Sequence, residues 1–266
     1  MNRSLGYLIL ALLLGPAAAP LCAQGTKLPD DVARAKGLIE EHLDKIKNGK
    51  GAAILWLDQE PLPKAFPNHF FFAARYRVYP VAKVMPSGFR ASNVFAVSKD
   101  GTLTHIKDAK GLQEFFAAHL AAVKDEKSAQ AAVKASLLLT QEFRQDGFYK
   151  FTIIDESTKY DGKEATGKAV VMAGGNGELL VTLTFDAAGK LADIGDAGTK
   201  IKPGPRPICQ ATKLLDPDAI VRRMAEQDLL IMGPAAHDYL MEQRALADPQ
   251  LREAIDRLWR RIVENE

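Results

Sequence analysis

Two strands and the turn between them are predicted by residues 169–185, AVVMAGGNGELLVTLTF. From Leu179 to Phe185 every second residue is large and apolar, so one face of the second strand points towards a core. The run Gly174–Gly177 can supply the positive φ angles of a tight turn. A glycine-rich run can also hold a phosphate at a helix N-terminus, but this one joins strand to strand. The stretch therefore indicates a hairpin of an antiparallel sheet, whose first strand begins at Ala165.

Further strands are predicted on both sides of this hairpin. Apolar and polar residues alternate from His69 to Tyr79, which predicts a strand buried on one face. The pair Asp100-Gly101 favours a tight turn between two more strands. The remaining predicted strands are short apolar runs, of which the first could also be a turn: Ala52–Leu57, Asn93–Val97, Leu103–Ile106, Phe148–Ile154 and Leu191–Ile194.

Three helices are predicted within the same part of the chain. Apolar residues recur at helical spacing from Pro29 to Lys47, and again in a helix capped by Asp108. A third helix, about Lys127 to Phe143, is apolar on more than one face and is expected to be buried on several sides. Strands and helices in this segregated order predict an α+β fold, in which helices pack on one side of an antiparallel sheet.

A proline-rich stretch divides the chain. Proline occupies every second position from Pro203 to Pro207, so residues 201–207 predict a stiff, extended linker. The expected organisation is an α+β domain at residues 24–200 and a small all-α segment at residues 208–266.

The segment after the linker has helical periodicity throughout. Asp216-Pro217 and Asp248-Pro249 each place a capping Asp before a Pro at the first helical position, and the two pairs recur at the period of a helical repeat. The stretches DPDAIVRRMA (216–225) and LIMGPAA (230–236) resemble a HEAT-like repeat of the lyase-associated kind, in which a first helix leads through Gly into a second.

This resemblance implies helical-repeat packing and no catalytic residues. A stack of such repeats needs about three units to be stable alone, so these helices are expected to bury their apolar stripes against the sheet domain, a second copy or a partner. Residues 24–200 are similar to cystatin-like and nuclear-transport-factor-like helix-on-sheet folds only in topology.

The N-terminus has the pattern of a bacterial-type signal peptide. Arg3 precedes the apolar run Leu5–Leu14, which is shorter than the about 20 residues that a membrane span needs. Ala23 is the small residue expected before a cleavage site, so residues 1–23 are predicted to be removed and the protein to be periplasmic or secreted. Cys22 raises the alternative of a lipoprotein, but Leu21 is a poor match to the small residue that lipoprotein processing prefers.

Cleavage after Ala23 would leave Cys209 as the sole cysteine, so no intramolecular disulfide is expected. No nucleophile signature surrounds Cys209, and a buried structural thiol is favoured. The 35 Lys and Arg residues nearly balance the 33 Asp and Glu residues, which does not favour nucleic-acid binding. The predicted partner is another protein, bound through the C-terminal helices, and not a nucleic acid. No transmembrane span is expected after signal cleavage.

Histidine is the usual metal ligand and acid–base group in proteins, and the chain has five. None of the five lies three or four residues from another, so the sequence predicts no metal site, and we find no signature of a catalytic residue or cofactor. The candidates for the lining of a pocket between helix and sheet are His119, His105 and Tyr76. For His119, a place in the core is the favoured alternative.

The sequence favours an exported protein-interaction or scaffold module over an enzyme, with the C-terminal helices as the docking face. One alternative is a small-molecule or weakly enzymatic pocket between helix and sheet. A space filled by Phe115, Phe116, Phe70 and Phe72 would argue against that pocket. A second alternative is a structural component of the cell envelope, which predicts self-association.

Overall fold

A computed structural model of the chain describes residues 28–78, 82–195, 199–204 and 210–264. The predicted signal peptide (residues 1–23), the end of the predicted linker and Cys209 lie outside the described residues.

The described residues form an α+β fold with two antiparallel sheets, which confirms the predicted class. The first part contains α1 (Asp30–Asp44), β1 (Ala53–Leu57), α2 (Pro61–Ala65), β2 (His69–Arg75), β3 (Ser92–Ser98), β4 (Leu103–Ile106), α3 (Ala109–His119) and α4 (Glu126–Glu142). The strands that follow are β5 (Lys150–Tyr160), β6 (Glu164–Ala173), β7 (Gly175–Phe185), β8 (Leu191–Gly195) and β9 (Lys200–Pro203). The C-terminal helices are α5 (Ala219–Met232), α6 (His237–Leu246) and α7 (Pro249–Glu264), with short 3-10 helices at Ala211–Leu215 and Gly233–Ala236.

The first sheet has the strand order β1-β2-β3-β4, and its central strands β2 and β3 are buried on both faces. Phe72 of β2 packs in the core formed with α1, whereas Phe71 and Ala73 pack on the opposite side in the core formed with α2, α3 and α4. The prediction of a strand buried on one face that extends to Tyr79 is therefore wrong, because β2 ends at Arg75 and is covered on both sides. An unbroken apolar run such as residues 70–74 is typical of a strand between two helical layers.

The second sheet has the order β5-β6-β7-β8, with β9 beside β7. It is separate from the first sheet, and α3 and α4 lie between β4 and β5 along the chain. The helix α4 packs on β5, β6 and β7, and it also contacts α2 and β3. Its burial on several sides was predicted and is confirmed, with these residues buried: Ala129, Ala131, Ala132, Val133, Ala135, Ser136, Leu137, Leu139 and Glu142.

Residues 201–203, which the sequence places in the predicted linker, belong to β9. This strand pairs with the first residues of β7, from Gly175 to Glu178. Gly177 has a φ of +123°, and a Cβ atom there would lie 1.8 Å from the carbonyl oxygen of Lys200. The glycines around the hairpin thus also allow β9 to approach β7 closely, which local sequence patterns do not reveal.

The C-terminal segment packs around a core of its own, centred on Leu229, Leu240 and Ile255. Pro249 is the first residue of α7 and Asp248 accepts a hydrogen bond from the backbone N of Leu251 at 2.8 Å, as the sequence predicts. For α5 the predicted start is wrong by two residues: Asp218 is the cap, and Asp216 instead accepts a hydrogen bond from the backbone N of Asp218.

Contacts join this segment to the loop after β2 and to the loop before β5. Glu242 of α6 forms ion pairs with Arg77, at 2.7 Å, and with Lys83, at 3.2 Å. The guanidinium of Arg77 lies 5.5 Å from the ring centroid of Tyr239. Phe148 packs against the C-terminal core from the loop before β5. The helices thus bury part of their surface against the sheet-containing part.

Candidate functional site

The three predicted pocket residues lie on opposite sides of the first sheet. His105 pairs in register with Phe95, whose side chain lies in the core formed with α1. Tyr76 lies on the same side, where its hydroxyl donates a hydrogen bond to the carbonyl oxygen of Gly49 at 2.8 Å. His119 lies at the end of α3, on the other side of the sheet. The structure therefore does not bring His119 together with His105 and Tyr76.

Aromatic side chains fill the space between α3 and the sheet. The Phe66 ring contacts those of Phe71, Phe115 and Phe116, with centroids 4.8 to 5.5 Å apart. All four side chains are buried. Phe72, on the other side of the sheet, is also fully buried. This packing argues against a ligand pocket between helix and sheet.

His105 is held as a neutral aromatic ring. Its imidazole stacks on Phe95, with centroids 4.5 Å apart and planes inclined by 16°. Burial, with smaller contributions from the charges of Lys107 and His42, lowers the pKa of His105 to about 4. His105 therefore fills a structural role on this side of the sheet.

A pair of histidines at the other side was not predicted. The rings of His69 and His119 lie 4.7 Å apart, and both contact Phe115. Burial, and then the charge of His119, lowers the pKa of His69. The Nδ1 atom of His69 is buried and has no hydrogen-bond partner among the described residues. The residues lie far apart in the sequence, so spacing gave no signal.

No group of three or more His, Cys, Asp or Glu side chains within the described ranges is placed to hold a metal ion.

A cleft of about 670 Å³ lies where the end of β2, the end of α4 and the C-terminal helices meet. The buried carboxylate of Glu142 accepts hydrogen bonds from Nη2 of Arg75, at 2.6 and 2.8 Å, and from the hydroxyl of Ser92, at 3.0 Å. Tyr76, a predicted pocket residue, also lines this cleft. The remaining lining mixes polar and apolar groups, among them Gln145.

Ion pairs hold the C-terminal helix α6 against the loop that follows β2. The hydrogen bond from Arg77 lowers the pKa of Glu242; burial opposes this shift, and the hydrogen bond from Lys83 adds to it. Glu242 is thus an anion that holds α6 beside the loop after β2.

The helix α5 presents apolar side chains to solvent. Ile220, Met224 and Ile231 are 69%, 60% and 65% exposed. Their spacing places them in one stripe along the helix. Residues on the opposite side, including Leu229, are buried in the C-terminal core. The helical periodicity of this segment does not reveal that Ile220 and Met224 are left uncovered. We call Ile220, Met224 and Ile231 the α5 stripe.

In the part of the chain that the structure describes, no helix has both the length and the apolar character to cross a membrane. Comparisons with protein-family models, with curated proteins and with solved structures found no match to this chain.

Proposed function

We propose that this protein is an exported interaction module whose C-terminal helices dock another protein chain. The α5 stripe carries the proposal. Large apolar side chains that remain more than half exposed, aligned on one helix, are typical of a surface that a partner covers. Export rests on the sequence pattern of residues 1–23.

The packing of α5 supports this function. The side of α5 opposite the stripe packs in the C-terminal core, and Glu242 and Phe148 connect that core to the sheet-containing part. A rigid helix loses little conformational entropy when it binds, so a small apolar stripe on it can still contribute to affinity.

The test is site-specific photocrosslinking in the exporting compartment. A photoreactive residue in place of Met224 is expected to give a discrete adduct, and the substitutions Ile220→Ser and Ile231→Ser are expected to remove it. The matched control carries the photoreactive residue in place of Gln250, an exposed position at the start of α7. The proposal is overturned if no adduct forms at position 224, or if positions 224 and 250 give the same adducts.

Small-molecule binding is a second candidate function. The cleft between the end of β2, the end of α4 and the C-terminal helices supports it, whereas the filled space between α3 and the first sheet does not. The volume of the cleft falls within the about 300–1,000 Å³ of typical ligand sites. Arg75, fixed by Glu142, is a polar group that could orient a ligand there. A ligand screen by thermal shift would test this: hits should be lost in Gln145→Trp, which fills the cleft, and retained in Gln130→Trp, at a half-buried position of α4 outside the cleft.

A further inference from the structure

We propose that α5 pairs with α5 of a second copy of this chain, as a short parallel two-helix coiled coil. The α5 stripe forms the seam, and Arg223 of each copy faces Asp228 of the other. This inference rests on the proposed function and names the partner of the same surface.

The spacing of the exposed residues is that of a coiled-coil seam. Ile220, Met224, Gln227 and Ile231 are separated by four, three and four residues, which is the d-a-d-a pattern of a heptad. All four side chains are exposed. Gln227, at a d position, is the polar residue of this seam and is expected to lower the stability that the apolar residues provide.

The charges on both sides of the seam are complementary. In this heptad Arg223 is at position g and Asp228 at position e, and a parallel pair brings the g residue of one helix beside the following e residue of the other. A second copy would therefore form two Arg223–Asp228 ion pairs, one on each side of the stripe.

These two side chains are also the charged groups of α5 that remain unengaged. Within the described ranges, neither Arg223 nor Asp228 has a hydrogen bond or an ion pair. The guanidinium of Arg222, by contrast, donates to the carbonyl oxygens of Asp216 and Pro217. The carboxylate of Glu226 pairs with Arg261 of α7.

Other occupants of the stripe do not account for the charge pattern. In an antiparallel pair of α5 helices, position g of one helix faces position g of the other, and e faces e. Arg223 would therefore not meet Asp228. An unrelated protein requires no match between two charges of this chain. A second copy in parallel orientation uses both charges and the stripe together.

The expected dimer is weak. Three apolar side chains from each copy and two ion pairs bury far less than the about 1,200 Å² at the lower end of stable interfaces. Exposed ion pairs are also screened by salt. The association should therefore be concentration-dependent and should weaken as the ionic strength rises.

Sedimentation equilibrium of the purified chain, from micromolar to millimolar concentration, tests this inference. The unmodified chain is expected to show a reversible monomer–dimer equilibrium. Arg223→Asp and Asp228→Arg are each expected to weaken it by about tenfold or more, because like charges then face each other. An equimolar mixture of the two variants is expected to form a heterodimer, because opposite charges face each other again.

Lys127→Asp at the start of α4 is the matched control. It changes the net charge as much as Arg223→Asp does and should leave the equilibrium unchanged. Circular dichroism of each variant verifies the fold. A strictly monomeric chain overturns the inference, as does a dimer that the charge reversals do not affect. An adduct at position 224 with a different protein would support the proposed function and overturn this inference, so the two can fail separately.

Discussion

Arg75 at the end of β2 and Glu142 at the end of α4 form an ion pair through three contacts, although they lie 67 residues apart in the sequence. The carboxylate is buried, whereas the guanidinium is partly exposed at the cleft. Ser92 donates a further hydrogen bond to the same carboxylate. One buried acid therefore connects the first sheet to the helix that packs on both sheets.

Replacement of Arg75 by Met should destabilise the protein by about 3 kcal/mol, because it leaves a buried carboxylate without its counter-charge. Arg75→Met together with Glu142→Leu should cost clearly less than the sum of the two single changes, because no buried charge then remains. Chemical denaturation of the four proteins measures this difference. Arg90→Ala, at an exposed arginine, is the control, and additive effects in the double variant would contradict the prediction.

His105 should make stability depend on pH. Its folded pKa of about 4 is below the usual value of 6.5, so the folded state favours the neutral ring. The contribution is therefore complete above about pH 6.5 and decreases as the pH falls towards 4. His105→Phe, which keeps the ring stacked on Phe95, should reduce the loss of melting temperature between pH 7 and pH 4.5. The control is His237→Phe, at an exposed ring beside Trp259, and an equal loss in both variants would contradict this account.

Gly177→Ala should destabilise the second sheet or displace β9. A methyl group there would lie 1.8 Å from the carbonyl oxygen of Lys200, and the backbone φ of +123° is itself unfavourable for alanine. Gly147 separates these effects, because its φ is +94° but no other group lies within 4 Å of its Cβ position. The free energy of unfolding should fall by at least about 2 kcal/mol more for Gly177→Ala than for Gly147→Ala. Equal losses of stability in the two variants would mean that the positive φ, and not the contact with Lys200, destabilises the protein.

Tyr239→Phe should destabilise the C-terminal segment by about 1–2 kcal/mol. The Tyr239 hydroxyl accepts a hydrogen bond from the backbone N of Ala211 at 2.8 Å, and this contact is buried, so its loss leaves that N–H group without this partner. Tyr160→Phe removes a hydroxyl that donates to the carbonyl oxygen of Gly162 at an exposed site, and it should change stability by less than about 0.5 kcal/mol. Comparable losses of stability in the two variants would show that the buried hydrogen bond of Tyr239 contributes no more than the exposed one of Tyr160.

The features that the sequence predicts correctly depend on neighbouring residues. The alternation from Leu179 to Phe185 follows from the two-residue period of a strand, and the cap at Asp248 follows from local hydrogen bonding. Both can be read without knowledge of the rest of the fold.

The features that the sequence misses depend on distant parts of the chain. Whether β2 is covered on one side or both is decided by α1 and α4, which come from opposite ends of the first part. The pairs Arg75–Glu142 and His69–His119 arise only when the strands and helices pack. Likewise, periodicity places Ile220 on an apolar helix, but only the packing of α6 and α7 leaves it exposed.

The shared position of α4 has a consequence for how the protein loses its structure. Ala135 and Leu139 belong to the core of the first sheet, whereas Val133 and Leu137 belong to the core of the second. When α4 detaches, both cores open at once, so the sheets are expected to melt together as one cooperative unit. Amide hydrogens in β3 and β7 should therefore exchange with similar protection, although the two strands share no hydrogen bond.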